Sequence, residues 1–87
     1  MDEVNSRILE LIERLKQLGV ITYDKDFCDI IGLHKQNLNN IKNQRQSFTA
    51  DQILKMSKVY NVNVNWIFGH EKKIFRTAEP KRIKGLE

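Results

Sequence analysis

Apolar side chains recur along this chain with the period of an α-helix. In residues 1–18 they lie three or four positions apart and form one stripe, which Gly19 is placed to end. The members of the stripe are Val4, Ile8, Leu11, Ile12, Leu15 and Leu18. The pattern predicts a first helix with this stripe facing a core.

Two shorter helical patterns follow and meet at a glycine. Residues 25–31 are apolar at the i, i+3 and i+4 positions of one helix face, and residues 35–42 carry only two apolar side chains, three positions apart. Gly32 can adopt a positive φ, so the chain can turn sharply between the two helices. Thr22 and Asp24 are both suitable N-caps for the first of them. A helix, a glycine turn and a second, polar helix predict a helix-turn-helix.

Two further helices are predicted nearer the C-terminus. Thr49 and Gln52 form a capping box that starts a fourth helix with an apolar face. Asn63 is placed to cap a short fifth helix, and Gly69 to stop it. We expect Trp66 to lie in the core between the fourth and fifth helices. Since no stretch shows the alternation of a β-strand, the sequence predicts an all-α, compact five-helix bundle.

The composition is that of one small domain. No apolar run in the 87 residues reaches transmembrane length and the N-terminus does not resemble a signal peptide, so we expect no membrane partner. Cys28 is the only cysteine, which excludes an internal disulfide and fits a reducing cytoplasm. We expect Cys28 to be a small buried residue at a helix contact.

The predicted third helix is polar in a particular way. From Lys35 onward its exposed positions offer amines and amides and no carboxylate: Lys35, Gln36, Asn37, Asn39, Asn40, Lys42 and Asn43. Amides match the paired donor and acceptor of an adenine edge, and lysine donates to guanine or to phosphate. An ordinary solvated face is the simpler interpretation. Four asparagines, which are poor helix formers, and the missing carboxylates favour a surface that lies against DNA.

The charges are unevenly distributed. Residues 1–33 contain four Lys or Arg against seven Asp or Glu, whereas residues 34–58 contain five against one and residues 59–87 contain six against three. The positive charge therefore begins where the polar helix begins. Such an asymmetry is typical of a nucleic-acid-binding protein with one binding face.

Three stretches resemble the XRE-type helix-turn-helix family, which includes lambdoid phage repressor and Cro-like DNA-binding domains. Residues 27–33, FCDIIGL, are similar to the family's L-A-x-x-L-G-v segment, and residues 38–41, LNNI, to the helix pattern after it. Residues 62–69, VNVNWIFG, resemble the family's v-s-v-d-W-L-l-x-G signature. The likeness extends over about residues 8–69.

The chain departs from the family at several positions. Cys28 replaces the usual alanine, which is also small. Tyr23 stands where a small N-cap is common, and Asp24 where a phosphate-contacting glutamine often lies. Gln44 occupies the usual glycine position after the third helix, so we expect Asn43 to take any left-handed conformation.

The resemblance implies that the third helix lies in the major groove of duplex DNA, at a palindromic operator bound by a weak homodimer that DNA completes. The base-reading positions are Lys35, Gln36, Asn39 and Asn40; the phosphate contacts are Lys25, Lys42 and Arg45; the dimer contacts are Val62, Val64 and Phe68. No cofactor is implied. The sequence contains no clustered nucleophile, base or metal ligands, so we do not expect an enzyme.

We therefore predict a DNA-binding domain in residues 1–69, followed in residues 70–87 by a basic C-terminal tail that is mobile or begins a linker. Within the tail, we expect Ile74 and Phe75 to pack back onto the domain or against a partner. The predicted function is that of a cytoplasmic transcriptional regulator, a repressor of the phage or mobile-element type. The alternative is a protein-binding module, such as the antitoxin of a toxin–antitoxin pair.

Overall fold

Five α-helices make up the part of the chain that the computed structural model describes, residues 2–77. They are α1 Glu3–Gln17, α2 Asp24–Ile31, α3 Lys35–Lys42, α4 Ala50–Tyr60 and α5 Val64–Ile67. The radius of gyration is 12.1 Å, which is about the value expected of a compact chain of this length. The predicted all-α, five-helix architecture is confirmed over these residues, and α3 has the predicted bounds.

One apolar core lies between the helices. Its largest fully buried side chains are Tyr60, Phe27, Ile8, Leu11, Ile12, Leu15, Ile31, Leu38, Ile41, Met56, Ile67 and Val62. Phe27 and Tyr60 stack with their ring centroids 5.6 Å apart, which joins α2 to α4. Cys28, which follows Phe27 in the sequence, is buried as predicted, and burial raises the pKa of its thiol. The core therefore holds α2 between α3 and α4.

The start of α2 differs from both alternatives that the sequence offered. Tyr23 is the N-cap, with an extended backbone, and its N–H donates to the Asp26 carboxylate at 2.8 Å. The Thr22 N–H donates to the same carboxylate oxygen at 3.0 Å. Neither Thr22 nor Asp24 is therefore the cap. Gly32 ends the helix with φ 73°, which is the left-handed conformation predicted for the turn.

The segment from α3 to α4 confirms one prediction and corrects another. His34 is the N-cap of α3. The Thr49 and Gln52 side chains each accept from the other's backbone N–H, at 3.2 and 2.9 Å, which completes the predicted capping box. The left-handed residue after α3 is Gln44, with φ 63°, and Asn43 has φ −91°. The prediction for Asn43 was wrong because the chain turns one residue later.

Residues 70–77 fold back onto the segment between α4 and α5. Phe75 forms an isolated antiparallel bridge with Val62, and its side chain is only 8% exposed. These residues lie in the predicted tail, and Phe75 packs back onto the domain, which is one of the two outcomes expected for Ile74 and Phe75. The rest of the predicted tail, residues 78–87, lies outside the described residues.

Three asparagines at alternate positions hold this returning segment. Asn61 Nδ2 donates to Thr77 Oγ1 at 2.7 Å, and Asn63 and Asn65 donate to the two oxygens of Glu71 at 2.7 and 2.8 Å. These bonds, the one from Asn63 first, hold the pKa of the Glu71 carboxyl below its usual value. The asparagines of the Asn-Val-Asn-Val-Asn run therefore hold the returning segment in place through their side chains.

Trp66 is buried, with 6% of its surface exposed, as predicted. Among the helices, α5 packs chiefly on α1, whereas the prediction placed Trp66 between α4 and α5. The Arg7 guanidinium of α1 lies within 3.1 Å of where a Cβ on Gly69 would be, and Gly69 has φ 83°.

Within residues 2–77, no helix is both long enough and apolar enough to cross a membrane.

Candidate nucleic-acid interface

The outer face of α3 is defined by how the helix is anchored. Leu38 and Ile41 are 1% and 0% exposed, so both point into the core. With 3.6 residues per turn, the residues on the other side of the helix must face outward. Lys35, Gln36 and Asn39 are exposed there.

Two parallel rows of polar side chains cover this face. Lys35, Asn39 and Asn43 follow each other at four-residue steps, and Gln36 and Asn40 form the adjacent row. Asn40 is half-buried, while the other four are exposed. The structure therefore brings the four predicted base-reading residues onto one surface that contains no carboxylate.

Lys42, a predicted phosphate contact, is already paired within the chain. Its Nζ lies 3.1 Å from Asp24 Oδ2, and Lys16 Nζ of α1 lies 2.6 Å from Asp24 Oδ1. Contact with Lys16, and then with Lys42, holds the pKa of the Asp24 carboxyl below its usual value. Asp24 therefore links α1, α2 and α3 at the edge of the candidate interface.

The other two predicted phosphate contacts differ from each other. Lys25 Nζ pairs with Asp29 of the same helix at 3.1 Å, in an exposed i, i+4 contact. Arg45 is exposed and makes no ion pair among residues 2–77. Lys35 is likewise unpaired in that range. Arg45 and Lys35 thus have no ion pair within residues 2–77 that a phosphate would have to replace.

The loop after α3 carries Arg45 and is held at its beginning by α3 itself. The Gln44 N–H donates to the Ile41 carbonyl oxygen at 3.0 Å, and the Arg45 N–H donates to that of Asn40 at 2.8 Å. These bonds close the end of the helix around the left-handed Gln44. Arg45 therefore lies directly beyond the polar face of α3.

Asn5 of α1, which the sequence analysis did not single out, holds the far side of the same loop. Its Nδ2 donates to Ser47 Oγ at 3.2 Å and to the Gln46 carbonyl oxygen at 3.5 Å, and its Oδ1 accepts from the Phe48 N–H at 3.2 Å. Asn5 is only 4% exposed. The available signal was its position: it lies three residues before Ile8, on the side of α1 that is otherwise apolar.

The predicted dimer contacts divide into buried and exposed residues. Val62 is 0% exposed and bridges to Phe75, so it belongs to the core and the prediction that it contacts a second chain was wrong. Val64 and Phe68, at either end of α5, are 37% and 48% exposed. They remain as an apolar surface outside the core.

The described residues contain no group of three or more His, Cys, Asp or Glu side chains placed to hold a metal ion. Comparisons with family models, curated proteins and solved structures found no match to this chain. The arguments for function therefore rest on the geometry of the surface formed by α3 and its loop.

Proposed function

We propose that this chain binds double-stranded DNA sequence-specifically, as a transcriptional repressor of the phage or mobile-element type, with α2 and α3 as its helix-turn-helix. The observation that carries the proposal is the outer face of α3, where Lys35, Gln36, Asn39 and Asn40 are exposed or half-exposed without a carboxylate among them. An α-helix fits the major groove, and amide and amine side chains can pair with base edges there.

The cations around this face support phosphate contacts on either side of the groove. Arg45 is free of ion pairs in the described chain and lies just beyond the helix end. Lys42 is shared with Asp24, so its approach to a phosphate would exchange one anion for another. We therefore assign Arg45 the larger share of the phosphate binding and Lys42 the smaller one.

Selection of bound sequences from random duplexes tests the proposal. We expect one sequence to be enriched, with two inverted half-sites about 10 base pairs apart if two chains bind together. A chain that binds DNA with strong salt dependence but enriches no sequence would be a non-specific binder. A chain that binds no duplex at low salt would refute the proposal altogether.

Val64 and Phe68 are the proposed contact between two chains on such a site. Their exposed surface is too small for the roughly 1,200 Å² or more of buried area that a stable dimer usually has. We expect mostly monomer by sedimentation at micromolar concentration and cooperative binding of two chains to the palindrome. Non-cooperative filling, or saturation by a single chain, would refute the dimer.

The same apolar surface supports a second candidate function, a protein-binding module such as an antitoxin. In this function Phe68, which is 48% exposed, docks on a different protein instead of a second copy. The two functions predict different effects for two variants. Phe68→Ser would abolish a heterologous complex but would leave the binding of one chain to a half-site intact. Gln36→Ala would do the reverse.

A further inference from the structure

Asn5 is an unexpected residue at its position. Its side chain is only 4% exposed, and the other buried residues of α1, which are Ile8, Leu11, Ile12 and Leu15, are all apolar. Burying an amide is unfavourable unless its polar atoms are hydrogen-bonded. All the long-range bonds of the Asn5 side chain go to residues 46–48, more than 40 positions later in the sequence.

Within the described residues, the loop that Asn5 holds makes no other side-chain hydrogen bond before the capping box at Thr49, and the Phe48 side chain at its end is buried in the core. Its beginning is closed by backbone bonds to α3, through Gln44 and Arg45. Gln44 is in the left-handed conformation, which is unfavourable for a residue with a Cβ and persists only where the surrounding structure holds it. Asn5 supplies the side-chain hydrogen bonds that fix the end of the loop to α1.

Arg45 and Asn5 lie around the same shallow groove, together with Asp2, Gln44, Gln46 and Ser47. We infer that Asn5 is a positioning residue for DNA binding: it holds the loop so that Arg45 meets a phosphate beside α3 without first having to be ordered. A loop that is already ordered loses less conformational entropy on binding. The inference rests on the proposed function, because it assigns Arg45 a phosphate ligand.

The test is a double-variant cycle with Asn5→Leu and Arg45→Gln, measured as affinity for a fixed duplex at several salt concentrations. Asn5→Leu removes the bonds to the loop and continues the apolar stripe, and Asn5→Ala is the alternative if leucine does not fit. Ile12→Val is the matched control, because Ile12 is buried on the same helix and its apolar side chain cannot hydrogen-bond to the loop. Hydrogen exchange of the Phe48 amide, without DNA, reports the state of the loop.

We expect Asn5→Leu to weaken binding about three- to tenfold and to lower the slope of log affinity against log salt by up to about one, as Arg45→Gln does. The double variant should bind no more weakly than Arg45→Gln alone, and the Phe48 amide should exchange faster in Asn5→Leu. Ile12→Val should melt earlier but keep the wild-type salt slope.

Losses that multiply in the double variant would overturn the inference, because the two residues would then act separately. An unchanged salt slope in a folded Asn5→Leu, or unchanged exchange at Phe48, would overturn it as well. Failure of the wild-type chain to bind duplex DNA is a distinct result, which would refute the proposed function and the inference together while leaving the loop contact to be judged by the exchange rate.

Discussion

Asp24→Asn should destabilise the folded chain and at the same time strengthen its binding to DNA. The carboxylate of Asp24 contacts Lys16 at 2.6 Å and Lys42 at 3.1 Å, and the side chain is 23% exposed. Asparagine has the same shape but no charge, so both ion pairs are lost with little change in packing. Lys42 would then be free to approach a phosphate.

The size of the stability effect follows from the exposure of the two pairs. The Lys16 and Lys42 side chains are 30% and 45% exposed, so each pair lies between a fully solvated contact and a buried one. At about 0.5 kcal/mol for each partly exposed pair, the loss is about 1 kcal/mol. For a domain of this size, that loss lowers the melting temperature by about 4–8 °C.

The pH dependence of stability shows which ionisation state of Asp24 stabilises the fold. Since the pKa of Asp24 is lower in the folded chain than its ordinary value of 3.8, the ionised carboxylate stabilises the fold above that value. This contribution is lost as pH falls through the lowered pKa. The melting temperatures of the wild type and Asp24→Asn should therefore differ at pH 7 and converge in strong acid.

Thermal unfolding followed by circular dichroism measures the first effect, and duplex binding at low salt measures the second. Asp29→Asn is the matched control, because Asp29 pairs with Lys25 in a contact whose side chains are 62% and 72% exposed. We expect its stability to change by less than about 0.5 kcal/mol. A wild-type melting temperature for Asp24→Asn at pH 7, or weaker DNA binding by a folded Asp24→Asn, would refute the reasoning.

Three further predictions concern base reading and the core. Gln36→Ala or Asn40→Ala should weaken the best DNA site by roughly ten- to a hundredfold and barely change binding to random DNA, as a gel-shift titration would show; equal losses on both would exclude base reading. Trp66→Ala should cost about 3–5 kcal/mol in chemical denaturation, and melting within a few degrees of the wild type would place the tryptophan outside the core. Tyr60→Phe should stabilise the chain by about 1 kcal/mol, because the buried hydroxyl has no hydrogen-bond partner within residues 2–77. Burial raises the pKa of Tyr60 from 10.0 to about 12, so the wild type should lose stability as pH rises through that range and Tyr60→Phe should not.

Elements with strong local signals could be predicted from the sequence. The bounds of α3 follow from two apolar residues in an otherwise polar run, and the start of α4 follows from the Thr49–Gln52 capping box. The exposed face of α3 was predictable for the same reason, since Leu38 and Ile41 fix which side is buried. These features depend on residues no more than a few positions apart.

The features that were missed depend on distant residues. Nothing near Asn5 in the sequence indicates that it bonds to a loop more than 40 positions away. The return of Phe75 to Val62 is equally non-local: the apolar pair at residues 74–75 indicated a packing contact, but nothing near it in the sequence identified Val62 as the partner. The Asp24 contacts join three helices, so the pairing of Lys42 required knowledge of how those helices pack.

The return of residues 70–77 has a consequence for how the chain is made. Synthesis proceeds from the N-terminus, and domains begin to fold as they leave the ribosome. Phe75 covers Val62 in the folded chain, so a nascent chain that has emerged only as far as Gly69 contains the residues of all five helices but lacks the side chain that covers Val62. Until residues 71–77 emerge, Val62 lacks Phe75, Asn63 and Asn65 lack Glu71, and Asn61 lacks Thr77. Folding can therefore be completed only after residues 71–77 have left the ribosome.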